Sequence, residues 1–126
     1  MFIETLNAFK AEGKICAFGA SNWNYRRMDA ANEYAYAHNL EGFSFGSPAF
    51  SLAVVVRDPW GGSVHLSGKE NADARKWFWD NRIPVFGYSS FARGFFSGKY
   101  RTDMTCDVSE VLPYGTCQDI DDRICF

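Results

Sequence analysis

Polar side chains at two places in the sequence, residues 21–22 and residue 88, could hold a small molecule. Ser21 and Asn22 directly follow the apolar run 14–19, and an Asn amide combines hydrogen-bond donors with an acceptor, which a ligand carboxamide needs. The same residue types favour helix N-caps, so helix capping is the alternative interpretation. Tyr88 ends a later apolar run and is either a ring face for a planar ligand or a core tyrosine with its hydroxyl at the rim.

A further hypothesis concerns the segment 89–99, which combines small residues with Arg93 and Lys99. Gly94 and Gly98 allow close approach to the backbone and exposed amides, which suits a phosphate. Only three residues separate the two glycines, where a P-loop has four, and a tyrosine follows the lysine, so the segment is not a P-loop. No GxGxxG occurs either, and the spacing leaves nucleotide phosphate binding as one hypothesis among others.

The composition is that of a soluble globular chain. Its 126 residues are 47% hydrophobic and 22% charged, with a formal net charge of −2. Neither nucleic acid nor a membrane surface is expected as a partner of such a near-neutral chain. No apolar run approaches the roughly 20 residues of a membrane helix, and the start lacks the apolar core of a signal peptide, so a cytoplasmic location is expected.

The last stretch, 101–126, differs from the rest. It contains six Asp or Glu residues against two Arg, and three of the four cysteines, Cys106, Cys117 and Cys125. No CxxC pair is present and no His lies at ligand-like spacing from these cysteines, so no metal site is expected. Because the sequence shows no secretory signal, we expect the cysteines to be reduced thiols. We treat 101–126 as an acidic, cysteine-containing tail without assigned function.

Apolar periodicity predicts helices alternating with strands in the first hundred residues. A Ser67-x-x-Glu70 capping box is expected to open the third helix. Such alternation indicates an α/β fold with a parallel sheet, whose strands end on one common face where ligands bind. The predicted helices are 2–11, 24–38 and one that follows the Ser67 cap and runs to residue 81, and the predicted strands are 14–19, 42–47 and 83–89.

Three segments together resemble the aldo/keto reductase superfamily. Lys14–Trp23, KICAFGASNW, is similar to the motif commonly written KIRAIGVSNW. Phe45–Leu52, FGSPAFSL, is similar to VNQPQYSL, and Pro84–Tyr100, PVFGYSSFARGFFSGKY, is similar to VVAYSPLARGLLTGKY. The resemblance covers residues 1–100 and implies part of a (β/α)8 TIM barrel, with about three parallel strands and their helices.

The resemblance also implies a cofactor and residues that contact it. Members of the family bind NADPH, sometimes NADH, and reduce small-molecule carbonyl substrates. Ser21 and Asn22 would hold the nicotinamide carboxamide, Tyr88 would stack on the ring, and Ser47 stands where the family usually has Gln. The following loop would line the pyrophosphate through Ser89, Ser90, Phe91, Ala92, Arg93, Gly94 and Lys99.

The Asp, Tyr, Lys and His tetrad of the family belongs to the first half of the barrel, which these 126 residues do not include. The chain alone is therefore expected to be inactive, as an internal piece of an NAD(P)H-dependent oxidoreductase. The alternatives are a non-enzymatic nucleotide-binding or regulatory subunit on the same fold, and a truncated product without its own function. Phe43, Phe45, Trp77, Phe78 and Phe86 are expected to pack against parts of the barrel outside this chain.

Overall fold

Three α-helices alternate with the two strands of a parallel sheet that does not close into a barrel. The computed structural model describes residues 2–58, 60–99 and 101. The elements are α1 (Phe2–Ala11), β1 (Ala20–Ser21), α2 (Tyr25–Ala37), β2 (Gly46–Ser47) and α3 (Ala72–Asp80), with 3-10 turns at Lys69–Asn71 and Ala92–Gly94. The expected α/β class with a parallel sheet is confirmed.

The first two helices end as their sequences predict. Gly13 follows α1 at φ +71° and Asn39 follows α2 at φ +55°. In each case the next amide reaches back to a carbonyl five residues earlier, Lys14 N to Phe9 O and Leu40 N to Ala35 O. These left-handed residues and long-reaching bonds define Schellman caps, which glycine and asparagine favour.

The two predicted N-caps are wrong. The α2 helix is capped by Asn24, whose Oδ1 accepts the Arg27 amide at 2.9 Å, so Ser21 and Asn22 do not cap it. Ahead of α3, the Ser67 hydroxyl donates to Ser51 O at 2.7 Å and accepts the Ser51 amide, so no capping box forms. In the first case a residue closer to the helix is the cap, and in the second the Ser67 hydroxyl is used by the Ser51 backbone.

Three chain segments run parallel, with β2 in the middle. Ala20 pairs with Gly46 and Ser21 with Ser47, while isolated bridges join β2 and the residues after it to the third segment, 84–88. The first predicted strand, 14–19, is wrong in its bounds. Ser44 N donates to Phe18 O, so pairing starts only where the second segment comes alongside residue 18.

One face of this sheet packs against the helices. Phe18, Met28, Phe43 and Phe78 are buried in the core that forms there. Gly46 is required at its position because a Cβ would lie 2.6 Å from Cε1 of the Phe78 ring. Phe43 and Phe78 therefore pack inside the chain, and the expectation that they wait for an outside partner is wrong.

The other face of the sheet presents aromatic rings to the surface. Phe45 is half-buried and contacts Phe86 edge-to-face at 5.2 Å, and Phe86 is 62% exposed among the described residues. Parallel sheets ordinarily have both faces covered because their strands are apolar on both sides. For Phe45 and Phe86, packing partners outside the chain stay a prediction. Trp77, in contrast, has a partner inside the chain: its ring is half-buried and its Nε1 donates to Asp29 Oδ1.

Replacing Asn32 is expected to destabilise the fold by about 1–3 kcal/mol. This buried residue of α2 accepts the Phe43 amide at 2.7 Å and donates to Phe43 O at 3.4 Å. Asn32→Ala would leave the Phe43 backbone groups without these partners. Urea unfolding measures the loss, and Glu33→Ala, at an exposed position on the same helix, should change the free energy of unfolding by less than about 0.5 kcal/mol.

Candidate functional site

Four predicted site residues meet where the three parallel segments end. Ser21 and Asn22 end the first segment, Ser47 ends β2, and Tyr88 ends the third segment. The Tyr88 hydroxyl donates to Asn22 Oδ1 at 2.7 Å, although the two residues are 66 positions apart in the chain. We call Ser21, Asn22, Ser47 and Tyr88 the Asn22 cluster.

Asn22 is the centre of this cluster. Its backbone lies at φ +56°, a region that asparagine tolerates better than most residues. Its backbone N–H donates to Ser47 O at 3.3 Å. Its side-chain Oδ1 accepts the Tyr88 hydroxyl at 2.7 Å and the Val64 backbone N–H at 3.0 Å. The acceptor oxygen is thus fully used, and Nδ2, which contacts Ser21 Oγ at 3.4 Å, keeps donor capacity.

Ser21 provides a hydrogen-bond acceptor next to Asn22, whose own Oδ1 is already occupied. Its hydroxyl donates to Ser47 O at 3.2 Å, which orients the proton inward and leaves one oxygen lone pair after the Asn22 contact. Together the two side chains can offer one N–H donor and one hydroxyl acceptor at the exposed edge of the sheet. This combination matches a primary carboxamide, with the acceptor role on Ser21 and not on Asn22.

The Ser47 hydroxyl forms a hydrogen bond within the sheet. Its hydroxyl donates to Phe86 O at 2.9 Å, and its own carbonyl accepts from Ser21 and Asn22. The side chain therefore ties the second and third segments together, and its proton is used there. Its hydroxyl does not reproduce the amide that the family places at this position.

The Trp60 ring and the Arg93 guanidinium extend the site beyond Tyr88. The Trp60 ring meets the Tyr88 ring edge-to-face with centroids 5.8 Å apart, and the Arg93 guanidinium lies over Trp60 at 5.8 Å. Trp60 is 55% exposed, so the pair forms an open aromatic and cationic wall next to the Asn22 cluster. Arg93 is one of the residues predicted for the site, whereas Trp60 is not.

Asp58 holds the loop that carries Trp60. Its carboxylate accepts the backbone amides of Trp60 at 3.1 Å, of Ser63 at 2.7 Å and of Gly62. An aspartate ahead of a glycine-rich turn is a known signal for such side-chain-to-backbone bonds, and it was available in the sequence. The bonds lower the pKa of the Asp58 carboxyl far below its usual value, first through the Gly62 amide and then through Trp60 and Ser63.

This lowered pKa predicts a pH-dependent stability. A carboxyl whose folded pKa is depressed stabilises the fold above its unfolded pKa of about 3.9, and the stabilisation is lost as the pH falls through the folded value. Asp58→Asn should therefore lower the free energy of unfolding near neutral pH, and the difference should shrink below about pH 4. Urea unfolding at several pH values measures it, with the exposed Asp80→Asn as control. A difference that does not change with pH would contradict the account.

The segment 89–99 folds back on itself in short turns. Ser89, Ala92, Arg93 and Gly94 all have positive φ, between +48° and +92°. Turns that mix right-handed and left-handed residues can aim amides at an anion. The Ser90 hydroxyl donates to Gly87 O at 3.3 Å.

The side chains of this segment differ in what they could touch. Ala92 is 1% exposed, so a phosphate could reach only its backbone, whereas Phe91 is 67% exposed. Arg93 and Lys99 are exposed, and Arg93 lies over the Trp60 ring, which in turn contacts Tyr88. The segment thus continues the edge on which the cluster lies.

The part of the chain that the structure describes contains neither a metal site nor a membrane-spanning helix. There, no three His, Cys, Asp or Glu side chains lie close enough to hold a metal ion. Within the same residues, no helix is long and apolar enough to cross a lipid bilayer. Most of the predicted acidic tail, 102–126, lies outside the described residues.

Comparison of the chain with protein-family models, with curated proteins and with solved structures gave no match in any of the three.

Proposed function

We propose that the chain is part of an NAD(P)H-dependent reductase that transfers hydride to a small-molecule carbonyl substrate, and that the Asn22 cluster binds the nicotinamide. The supporting observation is the hydrogen-bond capacity of Ser21 and Asn22 beside the Tyr88 ring. One donor and one acceptor are left over, at the edge where parallel sheets bind ligands. The motif resemblance to the aldo/keto reductases supports the same interpretation.

The residues present fit the nicotinamide end of such a cofactor. The carboxamide oxygen would accept from Asn22 Nδ2, and its NH₂ group would donate to Ser21 Oγ. Tyr88 is held by its bond to Asn22, so its ring is fixed next to that position. When bound, the cofactor supplies the hydride; the role of this chain is to orient the ring that carries it.

The segment 89–99 is the proposed pyrophosphate contact. Its positive-φ backbone and the exposed side chains of Arg93 and Lys99 provide amides and positive charge. Ser89, Ser90, Phe91, Ala92 and Gly94 would contribute through the backbone or by shaping the loop.

The exposed aromatic face of the sheet supports the view that the chain is part of a larger barrel. Phe45 and Phe86 lie on the face that is not covered by α2 and α3. In a TIM barrel that face points into the barrel and is filled by side chains from the other strands. A cytoplasmic location and a small-molecule partner, without nucleic acid or membrane, are parts of the same proposal.

Titration of the purified chain with NADPH tests the proposal. Trp60 lies 5.8 Å from Tyr88, so a nicotinamide at that ring should quench its fluorescence in a saturable way. In Trp60→Phe the quenching should largely disappear while equilibrium dialysis still detects binding. Absence of saturable NADPH and NADH binding by dialysis, in a chain with intact helix content, would contradict the proposed function.

A further inference from the structure

An open groove runs between α3 and the start of the third parallel segment, on the helix side of the sheet. It has a volume of about 640 Å³, and its lining includes Leu66, Phe78, Trp79 and Val85. Trp79 is 83% exposed, although it borders residues of the core such as Phe78. We call this the α3 groove. Its apolar lining and its exposed indole indicate a surface that is normally covered.

The charge of the α3 groove is positive. Arg75 and Arg82 are in its lining, and no carboxylate lines it within the described residues. Arg75 donates to the carbonyls of Leu66 and Gly68, which fixes its side chain. Arg82 is exposed and has no carboxylate partner in the described part of the chain. An occupant with apolar and acidic side chains would match both features.

We propose that the α3 groove is covered by the acidic tail of this same chain, residues 102–126. The segment contains six Asp or Glu against one Arg, together with apolar residues such as Val108 and Leu112. Its 25 residues could span about 80 Å when extended, several times the roughly 13 Å radius of gyration of a 100-residue domain. Length and charge therefore both permit the contact.

The order of strands and helices indicates where the chain continues after the third parallel segment. The chain leaves the third segment at the carboxyl edge of the sheet, and crossovers from parallel strands are almost always right-handed. Because α2 and α3 already cover one face in this order, a chain that continues the alternation returns on that face beside α3. The α3 groove is the open surface at that place. This proposal does not depend on nicotinamide binding.

Disulfide trapping in the full chain tests the contact, because the tail carries Cys106, Cys117 and Cys125. In a Cys16→Ser background, Trp79→Cys places a thiol at the groove, and Tyr36→Cys places one on α2, where the side chain is 67% exposed. Mild oxidation joins thiols whose Cα atoms come within about 7 Å. We expect several-fold more intramolecular cross-linking to the tail from position 79 than from position 36.

A charge test accompanies it. Arg82→Glu, added to the Trp79→Cys chain, should lower the yield several-fold, as should high salt. Lys76→Glu, a charge reversal on α3 outside the groove lining, should leave the yield nearly unchanged. In the chain with native Trp79, Arg82→Glu should increase acrylamide quenching of this indole. Equal yields at positions 79 and 36, or disulfides formed only between molecules, would overturn the proposal.

Discussion

The Asn22→Ala variant is expected to bind NADPH about ten-fold more weakly than the parent chain. The substitution removes the N–H donor for the carboxamide, and it also removes the acceptor that holds the Tyr88 hydroxyl and the Val64 amide. A neutral hydrogen bond contributes about 0.5–1.5 kcal/mol, and each 1.4 kcal/mol changes affinity ten-fold. Equilibrium dialysis measures the change directly.

Two controls separate this effect from backbone strain. Asn39→Ala makes the same substitution at nearly the same positive φ, at the end of α2 and away from the cluster, and should not change NADPH affinity. Asn22→Asp keeps the Oδ1 acceptor for Tyr88 and Val64 but removes the donor, so it should lose affinity as the alanine variant does. If all three variants bind NADPH equally well, Asn22 does not contact the cofactor.

The second large effect is a complete absence of turnover in the 126-residue chain. General acid–base catalysis by a positioned side chain contributes about 10²–10⁴-fold, and the motif resemblance places the tetrad of the family outside these residues. We therefore expect NADPH binding without aldehyde-dependent NADPH oxidation. Steady-state absorbance of NADPH with aliphatic and aromatic aldehydes measures this.

The control for turnover is the Asn22→Ala chain, which binds the cofactor less. Any turnover that survives in the parent chain and falls in this variant would belong to the chain and would contradict its predicted inactivity. Turnover that is the same in both would belong to a contaminant. Neither outcome changes the binding measurement, so the two predictions fail independently.

The sequence predicted the helices well because their signals are local. Met28 and Ala35 recur at helical spacing and are buried, and Gly13 and Asn39 stop their helices through their own backbone freedom. The strands were predicted less well because their bounds depend on the neighbour. Residues 15–18 are apolar, but pairing begins only at residue 18, opposite Ser44.

The sequence predicted which residues lie together at this edge of the sheet, but not which of their hydrogen-bonding groups remain available. That Asn22 and Tyr88 share an edge follows from parallel strands, whose carboxyl ends lie on one side. That the Asn22 oxygen is already occupied, so that Ser21 becomes the free acceptor, depends on a bond from Val64 across 42 positions. Trp60 reaches Tyr88 only because Asp58 shapes its loop, a tertiary arrangement that turn composition does not specify.

The central claim is that the Asn22 cluster recognises a carboxamide, and a cycle that changes ligand and protein together tests it most directly. Affinities of the parent chain and of Ser21→Ala are measured for NADPH and for its deamido analogue, whose nicotinic acid carboxylate has no N–H donor to give to Ser21 Oγ. The account predicts that the parent prefers NADPH and that the preference changes in the variant, with a coupling energy of about 1 kcal/mol. Additive effects, with the same preference in both chains, would contradict it.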